Sequence, residues 1–244
     1  MLKECYTSFR RRFHERKNIK NAEKAVFITT ALTFFIAGFE IFNALKFYKP
    51  GMNLLDIASY VFADPWIYGF TFIFANLALL PSALLLYKGN EISLKDEICD
   101  KKNLGGDILW GLTLMTVAAI ADLMFIPINM GRTDQAFADE NSMSIGLVVL
   151  YFISLVLVSG ICKEIYFRGF AKHFCSSIFG EMTAFLLFNM LFGLLDWYNM
   201  GYSFILGLIC IYGYLKRKRL IVPMIIHGGV NFIGIIYSLI MQSV

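Results

Sequence analysis

Three short polar segments in the second half of the chain decide how the whole sequence is interpreted: KEIYFRG at residues 163–169, FGLLD at 192–196 and HGGVN at 227–231. Each lies within or at the edge of a run that is apolar enough to cross a bilayer. Charged side chains are costly there, so they usually mark a functional site. The sequence before Lys163 is expected to act as scaffold.

The composition around these segments is that of a polytopic membrane protein. Of the 244 residues, 58% are hydrophobic and 16% are charged, and the mean hydropathy is +0.63. That leaves too little polar surface for a soluble globule. The net charge of +4 comes from Lys and Arg that lie mainly between apolar runs, so it indicates membrane orientation and no nucleic-acid partner. The five cysteines lack C-x-x-C spacing and predict a reducing compartment without disulfides.

Seven stretches approach the roughly 20 apolar residues that a bilayer span requires. They predict an all-α integral membrane bundle of about seven transmembrane helices, with a polar pocket in its C-terminal half that opens toward the cytoplasmic side. The fifth and sixth stretches are short, which suits helices that are tilted or buried in the bundle. The predicted spans are 25–45, 66–87, 104–128, 144–162, 182–197, 202–215 and 220–241.

Lys and Arg are concentrated in alternate loops, which predicts a cytoplasmic N-terminus under the positive-inside rule. We divide the chain into a basic segment (1–24), an N-terminal transmembrane part (25–143) and a motif-bearing transmembrane part (144–244). In the basic segment, apolar residues from Leu2 to Phe13 recur at helical spacing. That pattern suits a helix on an anionic leaflet, and a solvated basic tail is an equal alternative.

Five side chains in the polar segments are candidates for chemistry. Glu164 and Arg168 are four residues apart, as are His227 and Asn231, so each pair can share one helix face. Structural alternatives exist for each: a salt bridge that closes a helix end, a histidine that only joins two helices, and, for Asp196, an interfacial position beside aromatic residues.

In this order, the three segments resemble the CPBP family, which comprises the type II CAAX prenyl endopeptidases and the Abi or bacteriocin-processing proteins. The family has a Glu-Glu-x-x-x-Arg motif, a Phe-x-x-x-His motif and a His-x-x-x-Asn motif. The resemblance implies that a Glu takes a proton from water, that His and Asn orient the water and stabilise the oxyanion, and that Arg gives structural support. The matching residues are Glu164, Arg168, Gly169, Phe192, His227 and Asn231.

Two positions depart from the family pattern. Lys163 stands where the family has its first Glu, and Asp196 stands where it has the middle His. A protonated lysine cannot act as a general base, so we expect Lys163 and Asp196 to form an ion pair that replaces the catalytic couple. The alternative is that Glu164 acts as the base, with Glu164, Asp196 and His227 as ligands of a divalent metal such as zinc.

These observations leave two main functional predictions. One is an intramembrane endopeptidase of the metallo or glutamic type, acting on a prenylated C-terminus or a secreted peptide precursor. The other is an inactive family member, a pseudoenzyme that binds peptides as an immunity, chaperone or regulatory protein. A transporter using Glu40, Asn76 and Asp122 is a third class, but no broken helices in matching halves support it. The expected location is the cell membrane of a bacterium.

Overall fold

The computed structural model describes residues 2–53, 57, 60, 64–89, 91–125 and 144–242, and within these ranges all regular secondary structure is helical. The predicted all-α membrane fold is therefore confirmed. The helices are α1 (Leu2–Ala44), α2 (Pro65–Leu77), α3 (Leu80–Gly89), α4 (Leu94–Ile98), α5 (Leu104–Phe125), α6 (residues 145–179), α7 (Glu181–Leu195), α8 (Met200–Arg217) and α9 (Ile221–Gln242). Short 3₁₀ turns follow α1 at Leu45–Phe47 and precede α8 at Trp197–Asn199.

Local sequence signals fix several helix ends. Asp64 caps α2 by accepting a hydrogen bond from the amide of Ile67 at 3.0 Å, and Ser144 caps α6 in the same way. Gly180, at φ +80°, separates α6 from α7 because this backbone conformation favours glycine. Lys218 ends α8 in a left-handed conformation.

Among the residues that the structure describes, five helical segments are long and apolar enough to cross a membrane, and a bent pair makes a sixth if it counts as one span. These described residues therefore carry five or six spans, against about seven predicted for the whole chain. The bent pair joins Glu181–Leu195 to Trp197–Arg217 at an angle of 101°, and its first arm, at 15 residues, is only about 22 Å long against a hydrocarbon core of about 30 Å. The single spans are Ile19–Phe47, Pro65–Leu85, Leu104–Met124, Ile145–His173 and Ile221–Ile240.

One predicted span boundary differs from the structure. Residues 2–24 of the basic segment belong to the continuous helix α1; the side chains of residues 1–18, and so the predicted apolar stripe, lie outside the described part of the chain. The fourth span does not end at Cys162 but continues to His173. Lys163 and Arg168 lie inside the bundle, each 1% exposed, because both are paired with carboxylates there.

The basic loops meet at one end of the bundle, here called the basic end and defined by residues 91–103 and 216–219. The backbone amide of Leu220 donates to the carbonyl of Glu97 at 2.8 Å, and Arg219 lies 3.6 Å from Asp100. Lys172 of α6 reaches the Glu97 carboxylate at 3.4 Å. This grouping agrees with the expectation that these loops share one side of the membrane.

Candidate functional site

Helix α6 carries the first polar segment on an unusual backbone. It runs through five consecutive segments in which α-helix alternates with the wider π-helix. The two π-helical stretches, Phe152–Ser159 and Ile165–Phe170, flank the short α-helical stretch Gly160–Glu164. Such π-helical turns are rare and occur frequently at functional sites. Here they bracket Lys163 and Glu164.

Helices α6 and α9 approach each other closely beside these residues. A Cβ atom on Gly160 would lie 3.0 Å from Gly228 Cα, and a Cβ atom on Gly228 would lie 2.9 Å from the carbonyl oxygen of Val156. Only glycine allows two backbones to come this near. The contact brings His227, the neighbour of Gly228, to the level of Glu164.

Glu164 lies at the centre of a buried three-residue cluster. Its Oε1 atom is 2.8 Å from His227 Nδ1, and its Oε2 atom is 3.1 Å from Arg168 Nε. The side chains of all three are at most 3% exposed. Two of the matched family motifs thus meet through one carboxylate.

Arg168 fixes this cluster to two further helices. Its Nη2 atom donates to the carbonyl oxygen of Gly207 at 3.0 Å and approaches Asn189 Oδ1 at 3.4 Å. The guanidinium carbon lies 4.4 Å from the centre of the Phe192 ring, within the range of a cation–π contact. These contacts fit the predicted role of Arg168 as structural support.

Lys163 and Asp196 form the expected ion pair. Lys163 Nζ donates to Asp196 Oδ1 at 2.7 Å, and their side chains are 2% and 13% exposed. The ammonium also lies 5.0 Å from the Phe72 ring centre and 5.4 Å from that of Phe192. The first and second polar segments are therefore joined by a direct contact between the two residues that depart from the family pattern.

A cavity of about 180 Å³ borders the ion pair. Asn231 reaches it from α9, although its amide nitrogen also donates to the carbonyl oxygen of Leu155 at 2.8 Å. Glu164 is fully buried and does not line the cavity, so Lys163 takes the position nearest the open space. The polar lining includes Ser159, Lys163, Asp196, Tyr202, His227 and Asn231.

The cavity extends toward the end of the bundle opposite the basic end. Its lining includes Asp122 near the end of α5, the Tyr198–Asn199 turn and Tyr237 late in α9. The prediction of a pocket that opens toward the cytoplasmic side is therefore not supported. The charged residues at 163–168 were predicted to lie at a membrane boundary, whereas they are buried inside the bundle, and of them only Lys163 lines the cavity.

The predicted metal ligands do not assemble. Glu164 is held by Arg168 and His227, while Asp196 is held by Lys163. Within the described ranges, no three His, Cys, Asp or Glu side chains come together in a way that could hold a metal ion. An ammonium beside Asp196 would also repel a cation, so the side chains do not fit zinc.

One residue of the site, Asn189, was not predicted from the sequence, and another, Glu40, was assigned to a different role. Asn189 holds Arg168 and also donates from Nδ2 to the carbonyl oxygen of Phe204 at 2.9 Å; an amide within an apolar span was the available signal. Glu40, considered only for a transporter path, lines a small cavity together with Lys163 and Asp196.

Fold and site together define a polytopic membrane protein with a polar site inside the bundle. Residues 145–233 match a family model described as type II CAAX prenyl endopeptidase Rce1-like. The chain therefore carries an Rce1-like domain of the CPBP family, which confirms the resemblance seen in its motifs. Neither the curated proteins nor the solved structures gave a match to this chain.

Proposed function

We propose that this protein is a catalytically inactive Rce1-like membrane protein whose cavity binds a peptide segment without cleaving it. The observation that carries the proposal is the 2.7 Å ion pair between Lys163 and Asp196. It occupies the two positions where the family has a Glu and a His. The water-activating couple is thus replaced by a contact that keeps α6 and α7 together.

Neither remaining carboxylate is well placed to activate water in the cavity. Asp196 accepts from the Lys163 ammonium, and a protonated lysine has no lone pair with which to accept a proton. Glu164 is fully buried, and its two oxygens face His227 and Arg168. An approaching water would have to break one of these contacts first.

The lining of the cavity suits a short peptide segment. Hydroxyl, amide and imidazole groups alternate there with apolar side chains such as Leu155 and Leu206, so a backbone and its side chains both find partners. The volume of about 180 Å³ is below the roughly 300–1,000 Å³ of common small-molecule sites. One or two residues of a membrane-associated peptide, with the rest of the peptide outside the cavity, are the appropriate occupant. We also propose that the N-terminus lies on the cytoplasmic side of the membrane, as the distribution of Lys and Arg predicts.

An active peptidase is the second candidate, and one contact favours it. Glu164 engages His227 Nδ1, which leaves Nε2 of the same ring for the cavity that His227 lines. A carboxylate-oriented imidazole of this kind can serve as a general base. This candidate needs no metal.

Peptide hydrolysis by the purified full-length protein separates the two candidates. Fluorogenic peptides with and without a prenylated C-terminus are offered in the presence and absence of Zn²⁺, and binding of a labelled peptide is followed in parallel. We expect saturable binding and no hydrolysis above that of Glu164→Ala. Hydrolysis by the parent that is lost in Glu164→Ala would overturn the proposal, as would failure to bind any peptide.

A variant that restores the two family residues provides a positive control for peptide hydrolysis. The double substitution Lys163→Glu with Asp196→His returns both family residues, and we expect it to hydrolyse at least one peptide that the parent only binds. The matched control is Lys95→Glu with Asp96→His, which makes the same two changes at exposed positions of α4. We expect that control to behave like the parent.

A further inference from the structure

Glu40 is a buried carboxylate that no function proposed above uses. It lies in α1, within the span Ile19–Phe47 and outside the matched Rce1-like region. The residue is 4% exposed, and its Oε2 atom has no hydrogen-bond partner. The structure records no ion pair for Glu40 among the residues it describes. An ionised carboxylate in this position would be strongly disfavoured.

Two cavities meet at this side chain. A space of about 10 Å³, close to the minimum for one water molecule, is bounded by Glu40, Asn76, Lys163 and Asp196. A larger cavity of about 100 Å³ is also lined by Glu40, together with Lys46 and other polar residues. Glu40 therefore borders both a space that can hold several waters and the small space beside the ion pair of the candidate site.

The two carboxylates of the candidate site already have opposite charges in contact. Asp196 is 2.7 Å from Lys163, and Glu164 is 3.1 Å from Arg168. Ionised Glu40 would thus add a negative charge beside two ion pairs that are already balanced.

We infer that Glu40 is a proton-binding site, whose carboxylate takes up a proton that arrives as hydronium through the 100 Å³ cavity and remains un-ionised beside the Lys163–Asp196 pair. One O–H bond of the hydronium breaks and one O–H bond forms on a carboxylate oxygen, which leaves a water molecule in the cavity. The inference goes beyond the proposed function and holds whether or not the cavity binds peptides. The polar groups that face Glu40 are Asp196, Lys163, Trp197, Tyr68, Tyr198 and Asn76, together with Lys46, Asp64 and Tyr60 in the larger cavity.

Loss of this proton would alter the ion pair. Lys163 borders the small cavity together with both carboxylates, so an ionised Glu40 becomes a second partner for its ammonium and competes with Asp196. Conversely, removing the charge of Asp196 leaves Glu40, which borders the same small cavity, as a counter-ion available to Lys163. In Asp196→Asn, Glu40 should therefore release its proton and ionise.

Infrared spectroscopy of the full-length protein in lipid tests this inference without a chemical probe. We expect the parent at neutral pH to show the carbonyl band of an un-ionised carboxylic acid that is lost in Glu40→Gln. The matched control Glu23→Gln, at an exposed position on the same helix, should lose no such band. The Glu40 band should also be absent in Asp196→Asn. The spectrum of Asp196→Asn minus that of the Asp196→Asn, Glu40→Gln double variant should therefore show no acid band.

Two results would overturn the inference. If Glu40→Gln removes no acid band while the protein remains folded by its amide bands, Glu40 is ionised in the parent. If the Glu40 band survives unchanged in Asp196→Asn, the proton does not depend on the neighbouring ion pair. Glu40→Gln is nearly isosteric, so folding is expected to be retained.

Discussion

Glu97 joins three helices at the basic end, and these contacts control its ionisation. His173 Nε2 and Lys172 Nζ lie 3.3 and 3.4 Å from Oε1, and the Tyr214 hydroxyl donates to Oε2 at 3.0 Å. Burial raises the pKa of Glu97, but the hydrogen bond and charge of His173, the charge of Lys172 and the Tyr214 hydrogen bond outweigh it. Together they lower the pKa from the usual 4.5 to about 2.

Because the pKa of Glu97 is lower in the folded protein than in the unfolded chain, its ionised form stabilises the fold. That contribution is complete above about pH 4.5 and is lost as the pH falls toward 2. We expect Glu97→Gln to lower the midpoint of thermal unfolding at neutral pH, and the difference from the parent to shrink across this window. The control Glu91→Gln, at an exposed position, should differ little at any pH. A difference for Glu97→Gln that is constant with pH would contradict this account.

Residue pairs could be predicted where sequence spacing or a family motif defined them. The i, i+4 pair of Glu164 and Arg168 follows from helix geometry, and the contact of Lys163 with Asp196 followed from two substitutions that compensate in charge. The approach of Glu40 to that pair could not be predicted. It depends on how α1 packs against α6 and α7, and no local pattern encodes that rotation.

The position of His227 depends on the close approach of α6 and α9 at Gly160 and Gly228. A methyl group at Gly160 would meet Gly228 Cα at 3.0 Å, and this backbone atom cannot move aside without shifting α9. Gly38 of α1 is the matched control, because a Cβ there would meet nothing within 4 Å.

We expect Gly160→Ala to lower the midpoint of thermal unfolding in detergent, since overpacking commonly costs about 1–3 kcal/mol. Gly38→Ala should leave that midpoint unchanged or raise it, because alanine favours helix over glycine by about 1 kcal/mol. Equal effects of the two substitutions would show that the close helix crossing is not required.

The presence of the helices could be predicted from the length of the apolar runs, but the residues at which the helices end were predicted less accurately. The runs of 104–128 and 220–241 correspond well to spans in the structure. The end predicted at Cys162 was wrong because Lys163 and Arg168 were taken as a membrane boundary, whereas partners on other helices neutralise them inside the bundle. The run from 182 to 215 was predicted as two spans, and in the structure it is a bent pair of helices whose first member, α7, is too short to cross a membrane alone.

For the molecule as a whole, the sequence indicated the arrangement of loops better than the position of the cavity. The positive-inside rule grouped the loops at 88–102 and 216–219, and contacts such as Arg219 with Asp100 place them together. The direction of the cavity depends on side chains from several helices, including Asp122, Tyr198 and Tyr237. These residues are dispersed in sequence and carried no shared motif.

The account rests on a buried ion pair standing where the family has its catalytic couple. A double-mutant cycle in detergent, with the free energy of unfolding measured for the parent, Lys163→Met, Asp196→Asn and the double variant, tests this most directly. Lys163→Met should cost about 3–5 kcal/mol, because it leaves Asp196 buried without its partner. Asp196→Asn should cost less, since Glu40 can then pair with Lys163. In the double variant most of the loss should be recovered. Strictly additive losses would contradict the account, because they would mean that Lys163 and Asp196 stabilise the protein independently of each other.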